Sequence, residues 1–183
     1  VQARADGFVE DLTSALSQFG GALFTAREWD FARVTAERAV AANPNSSMAL
    51  VCAGLGGLWL GRTDQSEEFF ERAAAFSPGD PCQKFALGGL AAVHRRRGNY
   101  ETAMEFANRS LAVGPGYSGA HWNLIGACVR LGRLDEAKRY LARYRSISPL
   151  TTVASIRRGQ PVVDERLLDG LLEPLALAGL PEG

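Results

Sequence analysis

Histidine is nearly absent from this chain. His94 and His121 are the only two, and neither has a partner at metal-ligand spacing, so an imidazole-based metal or acid–base centre has little to draw on. His94 falls in an apolar helical stripe and is expected to pack. Cysteine is scarce and unpaired in pattern. Cys52, Cys82 and Cys128 are odd in number and far apart, which excludes a disulfide framework and fits free thiols in a reducing compartment. No basic-then-apolar leader opens the chain. The most apolar run, from Met48 to Leu60, is well short of the roughly 20 residues of a membrane-spanning helix. Net charge is also missing, at +0 with a pI near 6.9, so nothing global points to nucleic acid or a membrane surface. We read the chain as soluble and cytoplasmic. It begins at Val1 rather than methionine and is expected to be a piece of something longer.

The charge that is present is unevenly placed. Residues 1–80 carry 6 basic and 11 acidic side chains, whereas residues 81–183 carry 14 and 9. From Lys84 to Arg158 there are 13 basic and 4 acidic residues, including Arg95-Arg96-Arg97. Phosphate binding requires such charge on one face, and a helical architecture spreads these positions over several faces. A nucleic-acid contact module is therefore the alternative reading rather than the leading one. The segment Gly54-Leu-Gly56-Gly57-Leu-Trp-Leu-Gly61 resembles a phosphate loop only superficially. It lacks the third glycine and any Lys-Ser/Thr pair, and it falls in a helix. No catalytic residue, metal site or cofactor is expected.

What the chain does contain is a repeat. Gly98-Asn-Tyr100-Glu-Thr-Ala103 returns as Gly132-Arg-Leu134-Asp-Glu-Ala137, and Pro115 returns as Pro149, each 34 residues on. Three markers on one period indicate stacked helical units. Gly61 precedes Pro78 by the same 17 residues that separate Gly98 from Pro115. Pro44 closes a still earlier copy in which Arg27 stands where the turn glycine should be. Four units follow, at about 13–46, 47–83, 84–117 and 118–151, so that residues 1–151 form an array and 152–183 a C-terminal cap. Each unit carries two apolar stripes at helical spacing, such as Leu124, Ile125, Cys128 and Leu131, then Leu134, Ala137, Tyr140, Leu141 and Tyr144. Ser46 or Ser47, Asp80 and Ser118 are placed to begin helices. Gly20, Gly54, Gly56, Gly57, Gly88 and Gly89 lie inside predicted helices, where each costs about 1 kcal/mol against alanine. They mark either close helix contacts or soft helices.

Residues and period together resemble the tetratricopeptide repeat, over about 13–151. The resemblance implies an all-α, right-handed superhelix of four helix-turn-helix units. It also implies that the first helix of each unit lines a concave face. That places Val51, Cys52, Leu55 and Trp59 there from the second unit, Phe85, Gly88, Ala92, Arg95 and Arg96 from the third, and Trp122, Asn123, Val129 and Arg130 from the fourth. The candidate ligand-binding residues are Trp59, Phe85, Arg95, Arg96, Trp122, Asn123 and Arg130. They form an apolar floor with arginines at one rim, suited to an amphipathic or acidic protein segment. In this family an asparagine at the place of Asn123 often bonds ligand backbone. The two tryptophans serve either the groove or the inter-repeat core. The Lys/Asn/Arg carboxylate clamp of chaperone-binding members is not present as a set.

After Pro149 the period stops. A short helix over Thr151–Arg158 and an amphipathic helix from Asp164 are expected, the latter covering the apolar face of the last unit through Leu167 and Leu171, with Pro174 kinking or ending it. The tail from Glu165 to Glu182, together with Phe76-Ser-Pro-Gly-Asp-Pro81, is similar to C-terminal repeat modules of bacterial class III nucleotide cyclases and of winged-helix regulators. That similarity implies a non-enzymatic interaction scaffold acting as the regulatory module of a larger signalling protein, or the tail of a cyclase whose catalytic domain lies outside this chain. Oligomers are compatible with either.

Overall fold

The computed structural model describes residues 22, 26–76 and 79–183; the first helix of the first predicted unit, Gly20, Ser77 and Pro78 lie outside them. Among the described residues there are nine helices and no strand. They are α1 (Trp29–Ala42), α2 (Ser47–Trp59), α3 (Thr63–Ala74), α4 (Gln83–Arg96), α5 (Tyr100–Val113), α6 (Ser118–Arg130), α7 (Leu134–Ile147), α8 (Val153–Gly159) and α9 (Glu165–Leu177). Helices α2/α3, α4/α5 and α6/α7 form antiparallel pairs that stack in chain order into a solenoid. No described helix is long and apolar enough to cross a membrane.

One device turns each pair. The first helix ends on a glycine with positive φ, at 77° for Gly61, 81° for Gly98 and 74° for Gly132. Around Gly98, the Asn99 amide donates to the His94 carbonyl at 2.9 Å and the Gly98 amide to Arg95 at 3.1 Å. The same two bonds recur at Gly61 and Gly132, so orphan carbonyls at the helix end are satisfied three times over by one C-cap motif. Arg27 has φ 64°. An arginine thus adopts the left-handed turn that glycine makes in the later units, as the back-extended period predicts. Ser46 caps α2 by accepting from the Ala49 amide at 3.3 Å. Asp80 accepts from the Cys82 amide at 2.7 Å, while Ser118 is the first residue of α6 rather than its cap.

Four of the interior glycines make room for neighbours. A Cβ on Gly54 would sit 2.6 Å from the Phe70 ring, and one on Gly89 would sit 2.4 Å from it. Phe70 is fully buried; it projects from α3 into the space that two side chains on α2 and α4 would otherwise fill. Gly57 likewise admits Ser66, and Gly88 admits Tyr117. At these positions the close-contact reading of the glycines holds.

The tail covers the last pair, as expected of a capping helix, but through other side chains than spacing singles out. Helix α9 packs along α6, the first helix of the last pair, and against α8. The Val163 amide donates to the Trp59 carbonyl at 3.1 Å, which carries the tail back across the array to the C-terminal end of α2. Leu168, Leu172 and Leu175 are the buried leucines of α9 and share one core with α6 and α7. Leu167 and Leu171, the pair singled out by spacing, are only half-buried. Helix α9 also runs through Pro174 to Leu177 instead of ending there.

Candidate functional site

Helices α2, α4 and α6 lie side by side, and α9 with the extended stretch before it lies across them. Between them is a cavity of about 280 Å³. Trp59, Phe85, Arg95, Arg96, Trp122 and Asn123 all line it, as do Leu55, Ala92 and Tyr117. The opposite wall, formed by Gln160, Val162, Leu167, Leu168 and Leu171, comes from the tail. Arg130 is not part of this lining. It is exposed and pairs with Glu173 of α9 at 2.8 Å, fastening the tail from outside.

Arg95 is 8% exposed and holds the tail in register. Its Nε donates to Asn123 Oδ1 at 2.9 Å and its Nη1 to the Gly170 carbonyl at 3.0 Å. The second bond has a covalent cause. Gly170 lies four residues before Pro174, which has no N–H and whose ring crowds that carbonyl, so the missing helix bond is supplied by a guanidinium from α4. Asn123 is equally committed, since its Nδ2 donates to the carbonyls of Gly88 at 3.2 Å and Gly119 at 2.9 Å. It ties α4 to α6 instead of presenting a free amide to the cavity. Spacing alone does not single out Gly170 and Pro174 as partners of Arg95; a proline four residues after a glycine inside an apolar helix is the signal that marks such a carbonyl.

The cavity is cationic. Burial, and then Arg96 and Arg130 nearby, push the Arg95 guanidinium down to about 10; burial does the same to Arg96. Both remain charged at neutral pH. Arg96 Nη1 donates to the Leu58 carbonyl at 2.7 Å, at the C-terminal end of α2 where the helix dipole favours a cation. Arg96 Nε and Trp122 Nε1 are buried without a hydrogen-bond partner. Trp122 also packs edge-on to Tyr144 with ring centroids 6.4 Å apart, so it is at once cavity wall and inter-helix core.

Some of the other basic residues are ion-paired. Arg97 pairs with Asp64 and Glu67, Arg133 with Glu101, and Arg157 with Glu165 and Asp169. These pairs offset part of the cationic stretch seen in sequence, while Lys138, Arg139, Arg143 and Arg145 of α7 are exposed. His94 stacks on Phe106 with centroids 5.3 Å apart, a packing role. His121 Nε2 lies 2.8 Å from the Pro115 carbonyl. Among the described residues no group of three His, Cys, Asp or Glu could hold a metal ion.

Removing Arg95 tests its role as the tail's anchor. Arg95→Met strands the Asn123 and Gly170 oxygens and is expected to destabilise the chain by about 2–4 kcal/mol. The loss should shrink in a Pro174→Ala background, where the regained N–H serves Gly170. Urea titrations of the four variants give the coupling; an unchanged Arg95→Met penalty would show that the proline is not what exposes the carbonyl.

Two tetratricopeptide repeat profiles match the chain, over residues 46–115 and 94–157. No curated protein sequence matches it significantly. Among solved structures, PilW, described as a widely conserved type IV pilus biogenesis factor, superposes with a TM-score of 0.70 at 19% identity, covering 97% of this chain and 79% of PilW. A thermophilic tetratricopeptide protein of Thermus thermophilus gives 0.67 at 21% identity, with 91% and 89% covered. YrrB, described as having an unusual peptide-binding site, gives 0.55 at 19% identity, with 89% and 82% covered.

Proposed function

Because residues 46–157 of this chain are tetratricopeptide repeats, we propose that it is a non-enzymatic protein-interaction scaffold whose concave side takes a short protein segment. One observation carries this reading: the tail packs across α2, α4 and α6 yet leaves a cavity of about 280 Å³. A single ordered water needs only about 10–15 Å³ on such a measure, so the space suits side chains. Its aromatic and aliphatic lining, from Trp59, Phe85, Trp122 and Leu55, matches the composition of interface anchoring pockets. YrrB supports the reading as a structural neighbour described by its peptide-binding site.

A finer reading makes this scaffold the regulatory module of a larger bacterial signalling protein, and it rests on the similarity of the tail to cyclase-associated repeat modules. The sequence upstream of Val1 tests it directly. A catalytic core or a winged helix there would support it, and neither would end it.

Filling the cavity tests the scaffold reading itself. Ala92 is half-buried in the floor, and Ala92→Phe puts a ring where the segment would lie. We expect capture of protein partners to fall by about tenfold or more, a loss of roughly 1.4 kcal/mol, with the melting temperature held within a few degrees. Undiminished capture by a folded variant would place the interaction elsewhere.

A further inference from the structure

Resting on that reading, we infer that the cavity is a receptor for a side-chain carboxylate: the segment it accepts carries an aspartate or glutamate next to a large apolar residue. The lining is chemically one-sided. Arg95 and Arg96 both face it, and no aspartate or glutamate does. Neither arginine forms an ion pair among the described residues. Their hydrogen bonds go to the neutral oxygens of Asn123, Gly170 and Leu58. Two adjacent cations in a partly enclosed, largely apolar space repel each other and attract an anion more strongly than they would in water. The partial charge at the end of α2 offsets only about half of one.

A carboxylate, which only accepts and can take several donors at once, supplies the counter-charge that the arginine end lacks. The other end carries the apolar half of the signature. Phe85 and Tyr117 meet edge-on with centroids 5.0 Å apart, and an open depression bordered by Lys84, Gly114 and Gly116 shares both rings. The aromatic pair thus stands between the cavity and that depression and offers apolar surface beside the arginines.

Peptides selected from a displayed random library by the full chain supply the probe. They are then synthesised with both termini capped, and binding is followed through tryptophan fluorescence, two of the three tryptophans lining the cavity. The expected consensus pairs an acidic with an aromatic or large aliphatic residue. Changing that Glu to Gln in the peptide should weaken binding by about tenfold. Arg96→Gln in the protein should narrow the difference between the two peptides to about threefold or less, the remainder being due to Arg95. If Arg96→Gln does not fold, the Glu and Gln peptides against the unaltered chain decide the matter alone. Failure to select any cavity-binding peptide would overturn the scaffold reading along with this one. Selected peptides without an acidic residue, or an affinity indifferent to Glu→Gln, would overturn only the carboxylate receptor. So would a Gln peptide whose binding is restored by a free C-terminal carboxylate.

Discussion

Leu172→Asp is expected to unfold the C-terminal half of the molecule at ambient temperature. Leu172 is 2% exposed in a core shared by α6, α7 and α9. Removing a buried leucine costs about 2–5 kcal/mol, and an unpaired carboxylate in its place adds several more before it protonates. Against a total stability of about 5–15 kcal/mol for a domain of ordinary size, that is most or all of what holds the fold together. The control lies on the same helix. Leu167→Asp alters a half-buried cavity wall, where the charge keeps access to water and faces two arginines, and should be tolerated with a small shift. Thermal melts by far-UV circular dichroism distinguish the two. If Leu172→Asp melts within a few degrees of the parent, α9 is not integral to the core.

Phe70→Ala should be nearly as damaging, and its effect has a diagnostic partner. Phe70 is fully buried between α2 and α4, so truncation removes the ring and leaves a void worth about 3–5 kcal/mol. Because repeat arrays hold together through nearest-neighbour interfaces, the loss falls between the α2/α3 and α4/α5 pairs. Gly89→Ala in the parent forces a methyl against the ring and is expected to destabilise by about 1–3 kcal/mol from overpacking, despite alanine's helix propensity. In the Phe70→Ala background the same change finds empty space, fills part of it and gains about 1 kcal/mol of propensity, so its sign reverses. Urea denaturation of the four variants measures this. A Gly89→Ala effect of the same sign in both backgrounds would mean that the glycine is there for some reason other than the ring.

The finer details of the tail are the least legible in the sequence. Leu167, Leu168, Leu171, Leu172 and Leu175 form one broad apolar stripe, and a stripe does not say which of its edges meets the core. Spacing favours Leu167 and Leu171; packing chooses Leu168, Leu172 and Leu175. The choice depends on the rotation of α9, which is held by Arg95 on Gly170 and Arg130 on Glu173. Those contacts join residues 75 and 43 positions apart, beyond the reach of any local pattern. The same holds for Asn123. Its place on the first helix of its unit is visible in the repeat, but not that Gly88, Gly119 and Arg95 use its amide.

The sequence by itself determined the helical pairs and the turns between them. A 34-residue period is a statement about contacts between neighbours, and the turn glycines are required by a local backbone angle, so even the presence of Arg27 at the same φ sign was legible. It also determined which side chains belong to the first helices. Only the tertiary structure decided that the tail folds across α2, α4 and α6, that Arg130 is turned outward to Glu173, and that a cationic cavity is left between. The physical reason is that repeat packing is local and periodic, whereas the tail's site is set by side chains and one orphaned carbonyl that meet only once the array is built.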